Sequence, residues 1–365
     1  MNILVLCLSP GKGGLELYAH HSAQIIEALG HQCITVCSPD STIFKATNES
    51  TKKPTVSLKI FSRLLPLYAA LKLARIINAN NIDIIHFHWS KDFNVAVFAK
   101  LFSTRNVKLI YTRHMAITRY KNDFYHNFLF RHIDRFIVIT KQLRNEAIRF
   151  LPLQESRIKL LYHGVDQPAL KTPSCAKFKI TDTSKDYLHV AIFSRIEEGK
   201  GQHLLVEAAR ALKVKNKEIH ITVIGHVMDK TYYQNLLASI HQYQLDAQFH
   251  FHPFIESASS YMACFDVIAL TTHAETFGLV LIEAMQAGVA VIGGNAGGVP
   301  EIINDQVTGL LFEPRNVDSL TKKLEYYYDN PDSRKEIAAQ GQKFVRANFS
   351  EEQHKKILNE ILESL

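Results

Sequence analysis

Two acidic residues frame the stretch best suited to chemistry, Ala274-Glu275-Thr276-Phe277-Gly278-Leu279-Val280-Leu281-Ile282-Glu283-Ala284-Met285-Gln286-Ala287-Gly288. Glu275 falls in a loop after an apolar run, and Glu283 falls in the second turn of a helix predicted to start near Phe277. At 1.5 Å rise per residue the two carboxylates lie about 10 Å apart. That is too far to share a proton and suited to holding two ends of one elongated ligand. Between them, the free amides of Thr276, Phe277, Gly278 and Leu279 make an anion site at a helix N-terminus. Leu281, Ile282, Ala284 and Met285 surround Glu283 with apolar groups, where a carboxylate needs a partner. The plainer reading of Glu283 is a helix-face carboxylate.

Cations recur at a second place. In Arg195-Ile196-Glu197-Glu198-Gly199-Lys200-Gly201 a guanidinium and an ammonium sit where a strand ends and a helix begins, and a planar fork with a point charge suits a pyrophosphate. Ion pairs from a solvated loop to Glu197 and Glu198 fit the spacing slightly better. The loop Ser9-Pro10-Gly11-Lys12-Gly13-Gly14-Leu15-Glu16 opens another helix, and it reads either as a tight strand-to-helix turn or as an anion cradle. It is neither a dinucleotide fingerprint nor a P-loop, since Glu16 replaces the last glycine of the first pattern. His86, His88 and Trp89 end one strand and Arg113 and His114 another, with Arg119, Lys121, Arg131 and Arg135 nearby.

Alternating β-branched runs and helix-length amphipathic segments must position these groups. Strands are predicted over 2–8, 32–37, 83–87, 107–112, 135–140 and 158–162, then over 187–194, 218–224, 248–252, 265–271, 289–293 and 308–312. The period is lost across 163–185, where Pro168, Pro173 and polar residues mark a linker. The chain therefore divides into a first domain (1–165), a linker (166–186), a second domain (187–345) and a terminal amphipathic helix (346–365) packed at the domain junction. Each domain is α/β, doubly wound on a parallel sheet, and ligands of such sheets bind at the carboxyl ends of the strands.

Length and composition agree. With 365 residues, 47% apolar, 21% charged, 16 Gly and 11 Pro, the chain is a globular protein of two cores rather than a disordered or fibrous one. The apolar run 3–8 is too short for a signal peptide, and no stretch reaches a membrane span. Cys7, Cys33, Cys37, Cys175 and Cys264 are odd in number and lack a C-x-x-C pair, so they read as reduced buried thiols in a cytoplasmic protein. A net charge of +7 is a moderate excess, compatible with anionic substrates, anionic lipid or nucleic acid, and the sign alone does not choose among them. Residues 57–75 combine an apolar face with Lys59, Arg63, Lys72 and Arg75, with Lys52 and Lys53 upstream. Such a segment suits either an anionic membrane surface or the core-facing helix of a βαβ unit.

Taken in order, Gly13-Gly14-x-Glu16, His114 after a strand, Arg195-x4-Lys200-Gly201 and Glu275-x7-Glu283 resemble the retaining GT-B glycosyltransferases of family 4, the group 1 glycosyltransferases. Tyr162-His163-Gly164-Val165-Asp166 and Gly297-Gly298-Val299-Pro300-Glu301 are similar to that family as well. Ser194, His226 and Pro253 depart from its usual glycines. The resemblance implies two Rossmann-like domains facing a central cleft, and retaining transfer of a hexose-type sugar from a nucleotide-diphosphate sugar to a glycan or lipid-linked acceptor. It implies that Arg195 and Lys200 stabilise the departing diphosphate, with no metal or other cofactor. Glu283 would take the ribose, Ile255 the base, and Glu275 with Thr276, Phe277, Gly278 and Leu279 the sugar. Gly13 and Gly14 would approach the phosphates, and His114 would sit beside the donor sugar. His88, Trp89, Arg113 and Arg119 are candidates for the acceptor side. A cell-surface polysaccharide or lipopolysaccharide pathway and peripheral attachment at the cytosolic membrane face follow as expectations.

Two other classes compete. An epimerase or NAD oxidoreductase on twin sheets would need a dinucleotide fingerprint with an acidic residue about 20 positions on, and neither is present. A non-enzymatic basic membrane- or nucleic-acid-binding protein would need more than the modest positive excess.

Overall fold

The computed structural model describes residues 1–11, 13–39, 41, 43, 55–58, 66–165, 174–178, 187–255 and 257–365. The chain forms two compact units, Met1–Tyr162 with His354–Leu365, and His163–Gln353. Strand segments such as NILVLC and IHITVI are buried on both faces, as strands covered by helices on both sides must be.

In the first unit β1 (Asn2–Cys7), β2 (Gln32–Cys37), β3 (Thr55–Ser57), β4 (Ile84–Phe87), β5 (Lys108–Arg113), β6 (Arg135–Val138) and β7 (Ile158–Leu160) form a parallel sheet in the order β3-β2-β1-β4-β5-β6-β7. In the second, β8 (Leu188–Phe193), β9 (Ile219–Ile224), β10 (Phe249–His252), β11 (Val267–Leu270), β12 (Ala290–Gly294) and β13 (Leu310–Phe312) are ordered β10-β9-β8-β11-β12-β13. Strand order reverses between β1 and β4 and between β8 and β11. These are the switch points where connections leave in opposite directions and open a crevice at the carboxyl ends.

Four expectations change. Strand β3 is absent from the sequence reading because three residues are too few to show a period. Residues 346–365 are not one junction helix: the helix Pro331–Asn348 runs into the segment, and Glu351–Glu363 starts anew. Ser350 Oγ accepts from the amide of Gln353 at 3.3 Å at that second start. Leu358, Ile361 and Leu362 of this last helix are buried with Ile3, Val5, Ile84 and Ile110 in the first unit's core, worth roughly 1.5–3 kcal/mol each.

The boundary after the first sheet falls at Tyr162, and residues 166–173 and 179–186 of the expected linker lie outside the described residues. Finally, Cys175 and Cys264 form a disulfide while Cys7, Cys33 and Cys37 are buried outside any disulfide. The two sulfurs meet because the short 3-10 turn Cys175–Phe178 seats Phe178 against Tyr261, Phe265 and His252. The compartment inferred from reduced thiols therefore loses that support. Among the described residues no helix is long and apolar enough to cross a membrane.

Candidate active site

At the second unit's switch point the loop after β8 meets the loop after β11. Gln202, buried at the first position of the helix Gln202–Val214, donates from Nε2 to Ser194 Oγ (2.9 Å) and to the Arg195 carbonyl (2.8 Å). Thr271 Oγ1 donates to the Lys200 carbonyl at 2.8 Å, and the His273 amide donates to that of Gly199 at 3.1 Å. Gly201, at φ +72°, lies so close to the Thr271 carbonyl that a Cβ there would collide with it. Gly297 presses on the Glu275 carbonyl in the same way, and the Gly298 amide donates to that oxygen at 2.9 Å. The Gly297-Gly298 pair thus grips the backbone of Glu275.

Held so, Lys200 Nζ lies 3.4 Å from Glu275 Oε2, both half-buried. Arg195 turns instead to Glu197 at 2.8 Å, as the ion-pair reading of that loop has it. The helix Leu279–Gln286 begins two residues later than predicted, with Gly278 (φ +101°) at its start and no side chain capping it. Thr276 and Leu279 are half-buried beside it, while Phe277 is buried edge-on against His163 and Phe349. Burial pushes the Glu283 carboxyl up to about 7, and no described residue hydrogen-bonds to it. Ile255 is half-buried in the loop after β10, where the rings of Phe254 and His226 stack at 5.1 Å.

At the first unit's switch point, Glu16 folds back on its own loop. It accepts from the Gly13 amide at 2.8 Å and from the Ser9 hydroxyl, which closes the turn into the helix Gly14–Ala28. A Cβ on Gly14 would meet nothing within 4 Å, and one on Gly13 only the far end of Glu16. Packing does not demand these two glycines, which leaves the approach of something outside the fold as a reason for them. Fully buried Asp92, which sequence reasoning missed, accepts from the Leu8 amide at 2.9 Å and ties this loop to the end of β4; burial raises its carboxyl to about 8.

His114 is half-buried after β5, with its pKa lowered to about 3 by burial and then by the Arg113 guanidinium. The acceptor-side candidates lie in the following surroundings. Arg113 donates to the carbonyls of Met115 (2.7 Å) and Ala116 (2.9 Å) and to Tyr111 Oη (3.2 Å), so it holds the His114 loop. His88 is buried with its ring on His114 rather than presented at a surface. Trp89 is half-buried against Cys7, Ala19 and Cys37, with Lys91 over its ring. Arg119 alone of that set is exposed. Asp92, Tyr18 and His354 carried no recognisable spacing, since each acts through a partner distant in sequence.

A family model described as Glycosyltransferase Family 4 matches residues 12–167, and one described as Glycosyl transferases group 1 matches residues 176–344. Over 257 residues the chain is 25% identical to N-acetyl-alpha-D-glucosaminyl L-malate synthase of Bacillus anthracis, covering 68% of this chain and 65% of that one. Over 204 residues it is 28% identical to a GDP-mannose-dependent monoacylated alpha-(1-6)-phosphatidylinositol monomannoside mannosyltransferase of Corynebacterium glutamicum, covering 54% and 52%. The chain thus spans about half to two thirds of the length of these curated relatives. A glycosyltransferase of Rickettsia africae superimposes with a TM-score of 0.88 at 22% identity over 100% of this chain and 99% of its own. Anabaena HepE, solved in complex with UDP, does so at 0.86 and 22% over the whole of both chains. These likenesses establish the GT-B fold, and with both family models matched in order along the chain, the protein belongs to the group 1, family 4 glycosyltransferases.

Proposed function

We propose that the protein is a retaining, metal-independent glycosyltransferase that moves a hexose-type sugar from a nucleotide-diphosphate sugar to a glycan or lipid-linked acceptor in cell-surface polysaccharide or lipopolysaccharide synthesis. The observation that carries this reading is Glu283: a half-buried carboxyl, raised by burial and with no partner among the described residues, is open to a ligand, and a ribose supplies two hydroxyls. The uncapped helix start at Gly278 and the ammonium of Lys200 then face the donor's anionic part. Ile255 lies against the base, Thr276, Phe277, Gly278 and Leu279 against the sugar, and Gly13 and Gly14 against the phosphates.

In the reaction the bond from the sugar's anomeric carbon to the β-phosphate oxygen breaks, and the electron pair leaves on that oxygen. The acceptor hydroxyl oxygen bonds to the anomeric carbon on the same face and passes its proton to the departing phosphate. Lys200 and Arg195 stabilise the charge that develops on the leaving group, the role a divalent cation fills elsewhere. Glu275, tethered to Lys200, orients the sugar, so catalysis is mainly positioning and charge stabilisation.

The acceptor reading rests on exposed apolar and basic groups of the first unit. Leu67, Tyr68, Leu71, Lys72 and Arg75 are exposed on the helix Leu67–Ala79; Lys52, Lys53, Lys59 and Arg63 lie outside the described residues. Cations beside exposed aliphatic side chains suit peripheral contact with the anionic cytoplasmic face of a membrane, at about 1 kcal/mol per cation. Sedimentation with anionic but not neutral vesicles tests that part.

The donor reading is tested with UDP-glucose, UDP-N-acetylglucosamine and GDP-mannose. One of them should raise the melting temperature, by about 2.7 kcal/mol of added stability at 100 times its Kd, and should release nucleoside diphosphate with or without EDTA. No shift and no release with any of the three would overturn it.

A further inference from the structure

The carboxyl ends of β4 and β5 lead into His88 and His114, and the two rings meet. His88 Nδ1 lies 3.3 Å from His114 Nε2, with ring centroids 5.6 Å apart. His88 is 1% exposed. Tyr18 sets its ring edge-on to both, 5.5 Å from His88 and 5.0 Å from His114, and it is itself anchored. His354 donates from Nδ1 to the Tyr162 carbonyl at 2.6 Å, so its Nε2 accepts from the Tyr18 hydroxyl at 3.2 Å. Behind His88 the ring of His86 lies at 4.3 Å, its Nε2 2.7 Å from Thr112 Oγ1. Arg113 fixes the backbone just after His114 through the Met115 and Ala116 carbonyls.

We propose that His88 is a positioning residue: its Nδ1 holds His114 Nε2, fixes that ring's tautomer and orientation, and so directs the opposite nitrogen, Nδ1, to the bound donor. One hydrogen bond between two imidazoles carries one proton, and which nitrogen of a histidine bears its proton is set by the bond the other makes. The enclosing rings of Tyr18 and His86 leave His88 little freedom to turn away. A small misplacement of a positioned group is costly in rate, which gives the contact its kinetic consequence. The inference rests on the reading of His114 as a donor-side residue.

The test compares two variants of similar size that differ in hydrogen-bonding capacity. His88→Asn keeps an amide where Nδ1 stood, whereas His88→Leu keeps bulk without a hydrogen bond. His88→Leu should lower kcat by about 10- to 100-fold with the donor KM within about twofold, and His88→Asn should recover most of that loss. Turnover is read as nucleoside diphosphate release from UDP-glucose, UDP-N-acetylglucosamine and GDP-mannose.

Independently of turnover, protein labelled with 15N in histidine should show His114, assigned by its absence from His114→Asn, as one tautomer in the wild type and a mixture in His88→Leu. Unchanged kcat in His88→Leu, or a single tautomer in that variant, overturns the proposal. Should His88→Leu not fold, His88→Gln, whose amide reaches past the Nδ1 position, takes its place with the same readings. If the wild type turns over none of the three donors, the reaction reading fails, and the imidazole spectra still decide the contact.

Discussion

Each sheet carries a row of imidazoles, and the two rows have different surroundings. In the second unit His189, His220 and His250 stand side by side within β8, β9 and β10, on the face away from the main apolar core. The fold itself satisfies them: His220 donates from Nε2 to Glu218 (3.0 Å), so its Nδ1 accepts from His250 Nε2 (3.3 Å), and His189 meets Thr222 Oγ1 at 2.8 Å. Phe265 covers His189, and Phe178, beside the Cys175–Cys264 disulfide, covers His252. In the first unit His88 and His114 follow the ends of β4 and β5, beside loops that leave a crevice, with His86 buried behind them in β4. A histidine enclosed in mid-strand is a structural element. At a strand's carboxyl end, where ligands of such sheets bind, a histidine is a candidate for ligand contact.

The sharpest break of this contrast is kinetic. Lys200→Ala, Glu275→Ala and His114→Ala should each lower donor turnover by about 100- to 1,000-fold with the fold intact. His220→Leu should leave turnover at neutral pH unchanged and lower the melting temperature. Turnover that follows His220 and ignores His114 would reverse the assignment of the two rows.

A smaller effect tests what covers the second row. The disulfide joins residues 89 apart in sequence, so reduction or Cys175→Ser should cost roughly 2–4 kcal/mol in denaturant unfolding. Thiol titration of the oxidised, unfolded protein should count the three remaining cysteines, Cys7, Cys33 and Cys37.

The pH dependence of stability probes both rows together. Burial lowers His86 and His114 to about 3 and His189 to about 4, against 6.5 unfolded. Unfolding therefore takes up protons below pH 6.5: their contribution is complete above that pH and is lost as pH falls toward 4. Glu283 and Asp92, raised to about 7 and about 8, act oppositely, favouring the fold at low pH and losing that contribution as pH rises through those values. The melting temperature should peak near pH 6.5, with His189→Leu flattening the acid side.

The smallest effect is a stability gain: Glu283→Gln should raise the melting temperature above pH 7 and not at pH 4 while weakening nucleotide-sugar binding. A gain without weaker binding would return Glu283 to an ordinary helix face.

The sequence by itself determined the two parallel sheets, because β-branched runs and amphipathic helices alternate through local periodicity, and it located the loops at 9–16, 194–201 and 271–278 through glycines and charges close together in the chain. It also isolated Glu275 and Glu283, since a carboxylate among apolar neighbours is visible in eight consecutive residues. Only the tertiary structure decided what those groups touch. That Lys200 pairs with Glu275 across 75 positions, that Cys175 reaches Cys264 and that His354 anchors Tyr18 all depend on contacts between segments distant in sequence. Hydrogen bonds and ion pairs act over about 3 Å in space, and no spacing along the chain encodes which remote neighbour will be there.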